Sequence, residues 1–478
     1  MGSSAMLLCR THCFSISRPG PVRRFSSFRG FALVAAAVSA VVLSGSSAQA
    51  QIGAFQQRAV GGVMVDAQGL LRSATVDQRQ ESLKLLREAV AQPVGDIAAP
   101  AELRMISLAK LQRAMEAAAA DGQPLSDEIR YLAGLQRVQY VFVYPEQQDI
   151  VLAGPAEPWV VRDDAAVVGV RSGRPVLQLD DLVVALRSVE PARTEGISCS
   201  IEPTAEGRQR LQNLLKRVNL RPGQNPASLE PAMREAFGPQ VIKLSGVPAT
   251  SHYARTMVAA DYQMKRLAMA LEDAPVTGLP SYLDLSKSQR HSAQSNPRWW
   301  MACNYDALSH SDDKLAWRIS GQGIKTLTET DLILADGQAA RAGQVDRVAA
   351  KWAETMTEQF EALAQRQAVF GELRNCFDLS VIATLIVQEQ LAQRAQCDLS
   401  HLMGSSGQIE LETLAVPRMV EPQCSFVRGN SGWTVTASGG VDVNAFEVVE
   451  TQQLDASLTQ VRQTAAADAA SASWWWNG

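Results

Sequence analysis

The sequence predicts an α+β fold: a mixed sheet with a central apolar hairpin and packed helices, plus a second region that joins a helical hairpin to antiparallel strands. Three observations predict it. Residues 140–144 and 150–153 are apolar runs with no polar alternation, as in strands covered on both faces. A strand-like run, a proline turn and an amphipathic helix follow one another twice, over 197–218 and 241–272, which argues for an α/β layer with some parallel pairing. Farther on, residues 344–366 and 369–395 carry apolar residues at helical spacing, the pattern of two helices packed as a hairpin.

Residues 1–50 are set aside before the fold is read. Arg10, Arg18, Arg23, Arg24 and Arg29 make a basic, acid-free leader, residues 31–43 are apolar, and Ala48-Gln-Ala50 fits cleavage before Gln51. The apolar run falls short of the roughly 20 residues of a membrane span, although an uncleaved anchor is the alternative. An exported protein, periplasmic or in the cell envelope, with no transmembrane span in the mature chain is therefore expected. At 478 residues the chain exceeds one core. It divides into a mixed α/β domain over 51–275, a polar, turn-rich linker over 276–297, an α+β domain over 298–450 and a flexible tail over 451–478.

In chain order, residues 59–65 and 70–72 flank Asp66-Ala-Gln-Gly69, a hairpin turn with glycine at the position needing positive φ. Thr75-Val-Asp-Gln78 is a capping box and opens a helix to about residue 90, with Leu83, Leu86 and Val90 on one face. Residues 92–100 form a linker, and Ser107 starts a helix that Gly122 and Pro124 stop. The central hairpin turns at 145–149, where Pro145 and Asp149 bound a polar link. Strands follow at 165–170 and 176–179, then a helix over 180–187, then the two strand–turn–helix units. In the second region, 298–303 and 315–327 read as strands, the latter interrupted by Gly321-Gln-Gly323. After the helical hairpin, residues 409–416, 422–427 and 433–443 return to strand.

Composition excludes some functions. Without residues 1–50 the chain keeps 40 of its 45 basic residues and all 49 acidic ones, a net charge of about −9. That balance argues against nucleic acid as a partner. No phosphate loop, no G-x-S-x-G elbow and no Cys/His spacing of a zinc site is present, so no cofactor and no metal ligand is expected. Five cysteines remain after the leader. Their wide spacing leaves room for one bridge, Cys376–Cys397 or one involving Cys424, or for thiols that serve only as small apolar residues.

Three constellations could carry function. His252, Arg255, Asp261 and Lys265 lie on a helix just after a strand, where α/β folds bind ligands; the simpler reading is a solvated face with Asp261–Lys265 as a surface pair. Cys199 or Cys303 could act as a nucleophile with His252 or His310 as base. Trp474, Trp475 and Trp476 end a polar tail and could anchor a partner's groove or a membrane interface.

The run from Leu132 to Trp159, with Tyr140-Val-Phe-Val-Tyr-Pro-Glu146 and Asp149-Ile-Val-Leu-Ala-Gly-Pro155, resembles a family of exported planctomycete proteins, domain of unknown function 1598. Leu177-Gln-Leu-Asp-Asp-Leu182, Ala260-Asp-Tyr-Gln-Met-Lys-Arg266 and Val369-Phe-Gly-Glu-Leu-Arg-Asn375 are similar to it as well, so the resemblance runs from about residue 60 to 449. It implies an exported, envelope-associated protein and assigns no activity or catalytic residue. The expected function is non-catalytic binding or scaffolding of an envelope protein or polymer. The alternative is a hydrolase or transferase acting on envelope polymers, with a cleft near residues 251–265. A deep pocket holding His252 or Arg255 beside a carboxylate favours the enzyme; a flat surface counts against it.

Overall fold

The computed structural model describes residues 58–218, 226–288, 296–333, 339–341, 346–404, 409, 411–429, 432–469 and 476–477. The chain divides into a unit of residues 1–54 and a unit of residues 55–478, and every described residue belongs to the second. Nine strands form one mixed sheet in the order β1 (Val63–Val65), β2 (Leu70–Ser73), β15 (Met419–Val420), β9 (Gln240–Ser245), β8 (Ile197–Pro203), β18 (Ser438–Val443), β10 (Asn296–Asn304), β13 (Gly323–Ile333) and β14 (Ala339–Arg341). Seven form another: β19 (Gln452–Leu454), β11 (Leu308–His310), β12 (Ala316–Arg318), β4 (Tyr140–Tyr144), β5 (Asp149–Ala156), β3 (Ala101–Ser107) and β20 (Trp476–Asn477). Two ribbons complete the β-structure, β6 (Trp159–Val161) with β7 (Val167–Gly169) and β16 (Cys424–Gly429) with β17 (Gly432–Thr436). Helices and mixed sheets together make the α+β fold read from the sequence.

The apolar hairpin sits where its composition requires. β4 and β5 pair antiparallel in the middle of the seven-stranded sheet, from Tyr140 opposite Ala153 to Tyr144 opposite Asp149. Pro145–Gln147 makes a single 3-10 turn, and Gln148 closes it at φ 51°, in the left-handed region. Because successive side chains point to opposite faces, Val141, Val143, Ile150 and Leu152 enter the main core. Phe142, Tyr144, Val151 and Ala153 face a second apolar cluster with Leu458 and Ala465.

Four helices matter for the site: α1 (Val76–Ala89), α2 (Leu179–Glu195), α3 (His252–Ala268) and, after the shorter α4 (Arg347–Glu358) and α5 (Phe360–Arg366), α6 (Ala368–Gln388). The capping box of α1 forms as read, Thr75 Oγ1 accepting from the Gln78 amide and Gln78 Oε1 from the Thr75 amide. The helical hairpin is broken at Gln359 and Gln367, and α5 packs against α6. A last helix, α7 (Ser457–Ala469), lies on the outer face of β4 and β5.

Several expectations change. The strands of the two strand–turn–helix units, β8 and β9, pair antiparallel, because the chain comes back through a second helix before entering β9. Parallel pairing occurs instead at β10–β18, β2–β15 and β11–β19. Residues 176–179 and 411–416 are not strand. Residues 101–107 form β3, with only a partial apolar pattern to announce it. Strands on both sides of residues 276–297 share the nine-stranded sheet. No helix among the described residues is long and apolar enough to cross a membrane.

Cys199, Cys303, Cys376, Cys397 and Cys424 are all free thiols, so neither the Cys376–Cys397 bridge nor one involving Cys424 forms. Cys376 lies inside α6, and at about 1.5 Å per residue the rest of that helix carries the chain on the order of 18 Å away before it turns. The five-residue helix Leu391–Ala395 is too short to bring it back.

Candidate functional site

The amino ends of α2, α3 and α6 converge with α1 on one pocket of about 550 Å³. Local chemistry fixes each end. β9 finishes at Ser245, Gly246 takes φ 78°, and the chain turns through Pro248 to Ser251. The Ser251 hydroxyl accepts from the Ala254 amide at 3.0 Å and caps α3, which puts His252 at its first position. Asp180 and Asp181 fall in the first turn of α2, where the helix dipole favours carboxylates. Glu372 stands in the second turn of α6. A wall of Val60, Leu83, Leu86, Val167 and Val369 gives the pocket an apolar side.

His252 is held by Asp181, whose two carboxylate oxygens lie 3.0 and 3.1 Å from Nδ1. With Nδ1–H donated to Asp181, Nε2 is the atom that takes or gives a proton, and the Gln178 amide nitrogen lies 3.3 Å from it. His252 and Gln178 both line the pocket. Burial alone would lower the imidazole, but Asp181 and then Glu372 outweigh it and hold His252 above its ordinary value. Glu372 is only 7% exposed and makes no hydrogen bond to any described residue; its Oε2 is buried without a donor. Burial pushes its carboxyl up, and His252 pulls it part of the way back.

Around this pair the charges are tied. Asp180 accepts from the Glu412 amide at 2.8 Å and is raised by burial. Glu412 Oε2 accepts from Arg58 at 2.6 Å, which fastens the segment before β1 across the pocket. Gly61, at φ 57°, packs there against α6: an added Cβ would stand 2.6 Å from a Val369 methyl carbon. Among the described residues no serine, threonine, cysteine or lysine lines the pocket. It can bind a small molecule and exchange protons with it, and the one hydroxyl in its lining among the described residues is the phenol of Tyr131.

Of the other described residues singled out, none lines the pocket. Arg255 is 1% exposed and donates through Nη2 to the Ala415 carbonyl. Asp261 and Lys265 do pair at 2.8 Å, but inside the protein at 0% and 1% exposure, so the surface pair is a buried one. The whole of α3 up to Lys265 is buried, which removes the solvated face as well. Cys199 and Cys303 do not line the pocket, and burial pushes the Cys303 thiol up to about 12; the nucleophile reading falls. Trp474 and Trp475 lie outside the described residues, while the Trp476 backbone pairs with Ile106 of β3. Among the described residues no cluster of histidine, cysteine and carboxylates could hold a metal ion.

A family model described as protein of unknown function (DUF1598) matches residues 199–282. The match takes in β8, β9 and α3, and so His252, but not Asp181 or Glu372. No curated protein and no solved structure matches the chain. Asp181 and Glu372 were missed as site residues. The signal for Glu372 was its place as one of three charged residues, with Arg374 and Asp378, inside a largely apolar helical run; for Asp181 it was only a helix-opening acid.

Proposed function

We propose that this chain is an exported, envelope-associated protein of the planctomycete kind that binds a small organic ligand in the three-helix pocket. One observation carries the ligand: Glu372, a buried carboxylate with no hydrogen-bond partner among the described residues, lines a cavity of about 550 Å³. A buried charge left unpaired costs several kcal/mol, and a bound molecule that pairs with it offsets that cost. Pockets for small ligands run from about 300 to 1,000 Å³, which is the size found. Export rests on the basic leader, the apolar run and Ala48-Gln-Ala50.

The second reading, a hydrolase or transferase working on an envelope polymer, is favoured by the His252–Asp181 pair. An imidazole oriented by a carboxylate can draw a proton from water, and a raised carboxyl such as Glu372 can return one to a leaving group. Both readings place the ligand in the same cavity. A ligand-observed NMR screen of small fragments against the wild type and Leu83→Trp, which fills the cavity, tests this. Hits should lose binding to Leu83→Trp; hits that bind both proteins equally would remove the pocket from the account. Turnover of any hit, abolished by His252→Ala, would select the enzyme over the binder.

A further inference from the structure

We propose that the ligand of this pocket is an organic amine, a protonated nitrogen joined to an apolar body. The inference rests on the pocket being a binding site and adds the chemistry of what binds. The floor carries three carboxylates, Asp180, Glu372 and Glu412, and two basic groups, Arg58 and His252; Asp181 stands behind His252, bonded to its Nδ1. Both basic groups are already committed, Arg58 to Glu412 at 2.6 Å and His252 to Asp181 at 3.0 Å. Asp180 has one backbone N–H and no basic partner, and Glu372 has neither. An additional positive charge is therefore what the floor lacks.

Hydrogen-bond supply agrees. Around the pocket, Oε1 of Gln263, Gln367 and Glu412 and Oε2 of Glu372 are buried acceptors without a donor, against one unpaired donor, Nε of Arg58. An ammonium group brings three N–H donors and no acceptor. A carboxylate or phosphate brings acceptors only, and would meet Asp180 and Glu372 at close range. The ends of α2 and α3 do not reverse this, because their positive partial charge is met by Asp180 and Asp181 in the first turn of α2 and by the Ser251 cap on α3; the end of α6 has no side-chain cap, and Glu372 follows in its second turn.

Outside the floor the charges nearly cancel. Arg79, Arg130 and Arg366 stand exposed at the rim with Asp163, Asp164, Glu272 and Asp273. Of these acids, Asp163 pairs with Arg87, Asp164 with Arg162 and Glu272 with Arg266. The rim steers weakly, and discrimination falls to Glu372 and Asp180. The apolar wall of Leu83, Leu86 and Val369 takes the body of the ligand.

Titration calorimetry of the protein near neutral pH with three six-carbon probes, n-hexylammonium, 1-hexanol and hexanoate, tests the inference. Hexylammonium should bind at least tenfold more tightly than hexanol, and hexanoate most weakly. Glu372→Gln should lower the hexylammonium affinity at least tenfold and leave hexanol within about twofold, which also shows that the variant is folded. Hexanoate binding as tightly as hexylammonium, or a Glu372→Gln variant that keeps its hexylammonium affinity, would overturn the amine while leaving the pocket in place. Failure of all three probes, or binding that Leu83→Trp does not reduce, would overturn both the amine and the binding reading.

Discussion

Lys265 shows how far the chemistry of one residue depends on where its helix lies. Its ammonium donates to Asp261 Oδ2 at 2.8 Å, to the Ile201 carbonyl at 3.0 Å and to the Gly439 carbonyl at 3.2 Å, so all three hydrogens are used. Those carbonyls belong to β8 and β18, neighbours in the nine-stranded sheet, and the side chain thus ties α3 to both strands. Burial pushes Asp261 up to about 6 against the pull of Lys265. Removing the ammonium leaves a carboxylate with no basic partner in the core. Lys265→Met should therefore lose about 3–5 kcal/mol in urea denaturation. The double variant with Asp261→Asn should recover part of that loss, and two single losses that simply add would show that the pair is not coupled. From the sequence, a four-residue spacing of acid and base looks the same on a wet helix and a buried one, which is why the surface reading failed.

At the scale of elements, α6 is the hub, buried from Ala368 to Ile386 yet carrying Glu372, Arg374 and Asp378. Asp378 receives a two-pronged bond from Arg137, both contacts at 2.8 Å, and a third from Tyr305 at 2.7 Å. Glu361, from α5, joins Arg374 of α6 and Arg174, the latter at 2.6 Å. Burial alone would raise Glu361, but Arg374 and Arg174 together pull it down to about 2 from its usual 4.5. A carboxylate depressed in the folded state adds stability that is full above its unfolded pKa and is lost as the pH falls through the folded one. The urea midpoint of the wild type should therefore drop between about pH 4.5 and 2, and Glu361→Gln should flatten that drop; equal slopes would place the acid sensitivity elsewhere. Glu372 lies in the same helix but has no such partner, which sets a site residue apart from a structural one. A charged residue within the apolar run 369–395 was legible in the sequence. Which of the three had a partner was not, because Arg137 and Tyr305, which hold Asp378, come from distant parts of the chain, and Glu361, which holds Arg374, belongs to a separate helix.

For the whole molecule, the apolar hairpin was the most legible feature, since two runs with no polar face allow only a covered position. What covers the outer face was not legible. Residues 451–478 look in sequence like a polar, low-complexity end, yet Ser457–Ala469 form α7, and Leu458 and Ala465 pack on Phe142, Tyr144, Val151 and Ala153. Small alanines at helical spacing carry little hydrophobic signal and still fit closely over a sheet. Polar contacts fix the helix in place: the Tyr144 hydroxyl donates to the Arg462 carbonyl at 3.1 Å, and Arg462 donates to the Val143 carbonyl at 2.9 Å. Ending the chain at residue 456 uncovers that face, at about 1.5–3 kcal/mol for each large side chain returned to water. An uncovered apolar sheet face also invites association. The shortened protein should bind 8-anilinonaphthalene-1-sulfonate and scatter light at concentrations where the full chain does neither. The pocket is lined entirely by residues before 413, so the soluble fraction should keep its ligand binding. A shortened chain that stays monomeric and dark to the dye would mean that α7 is not the cover of the hairpin.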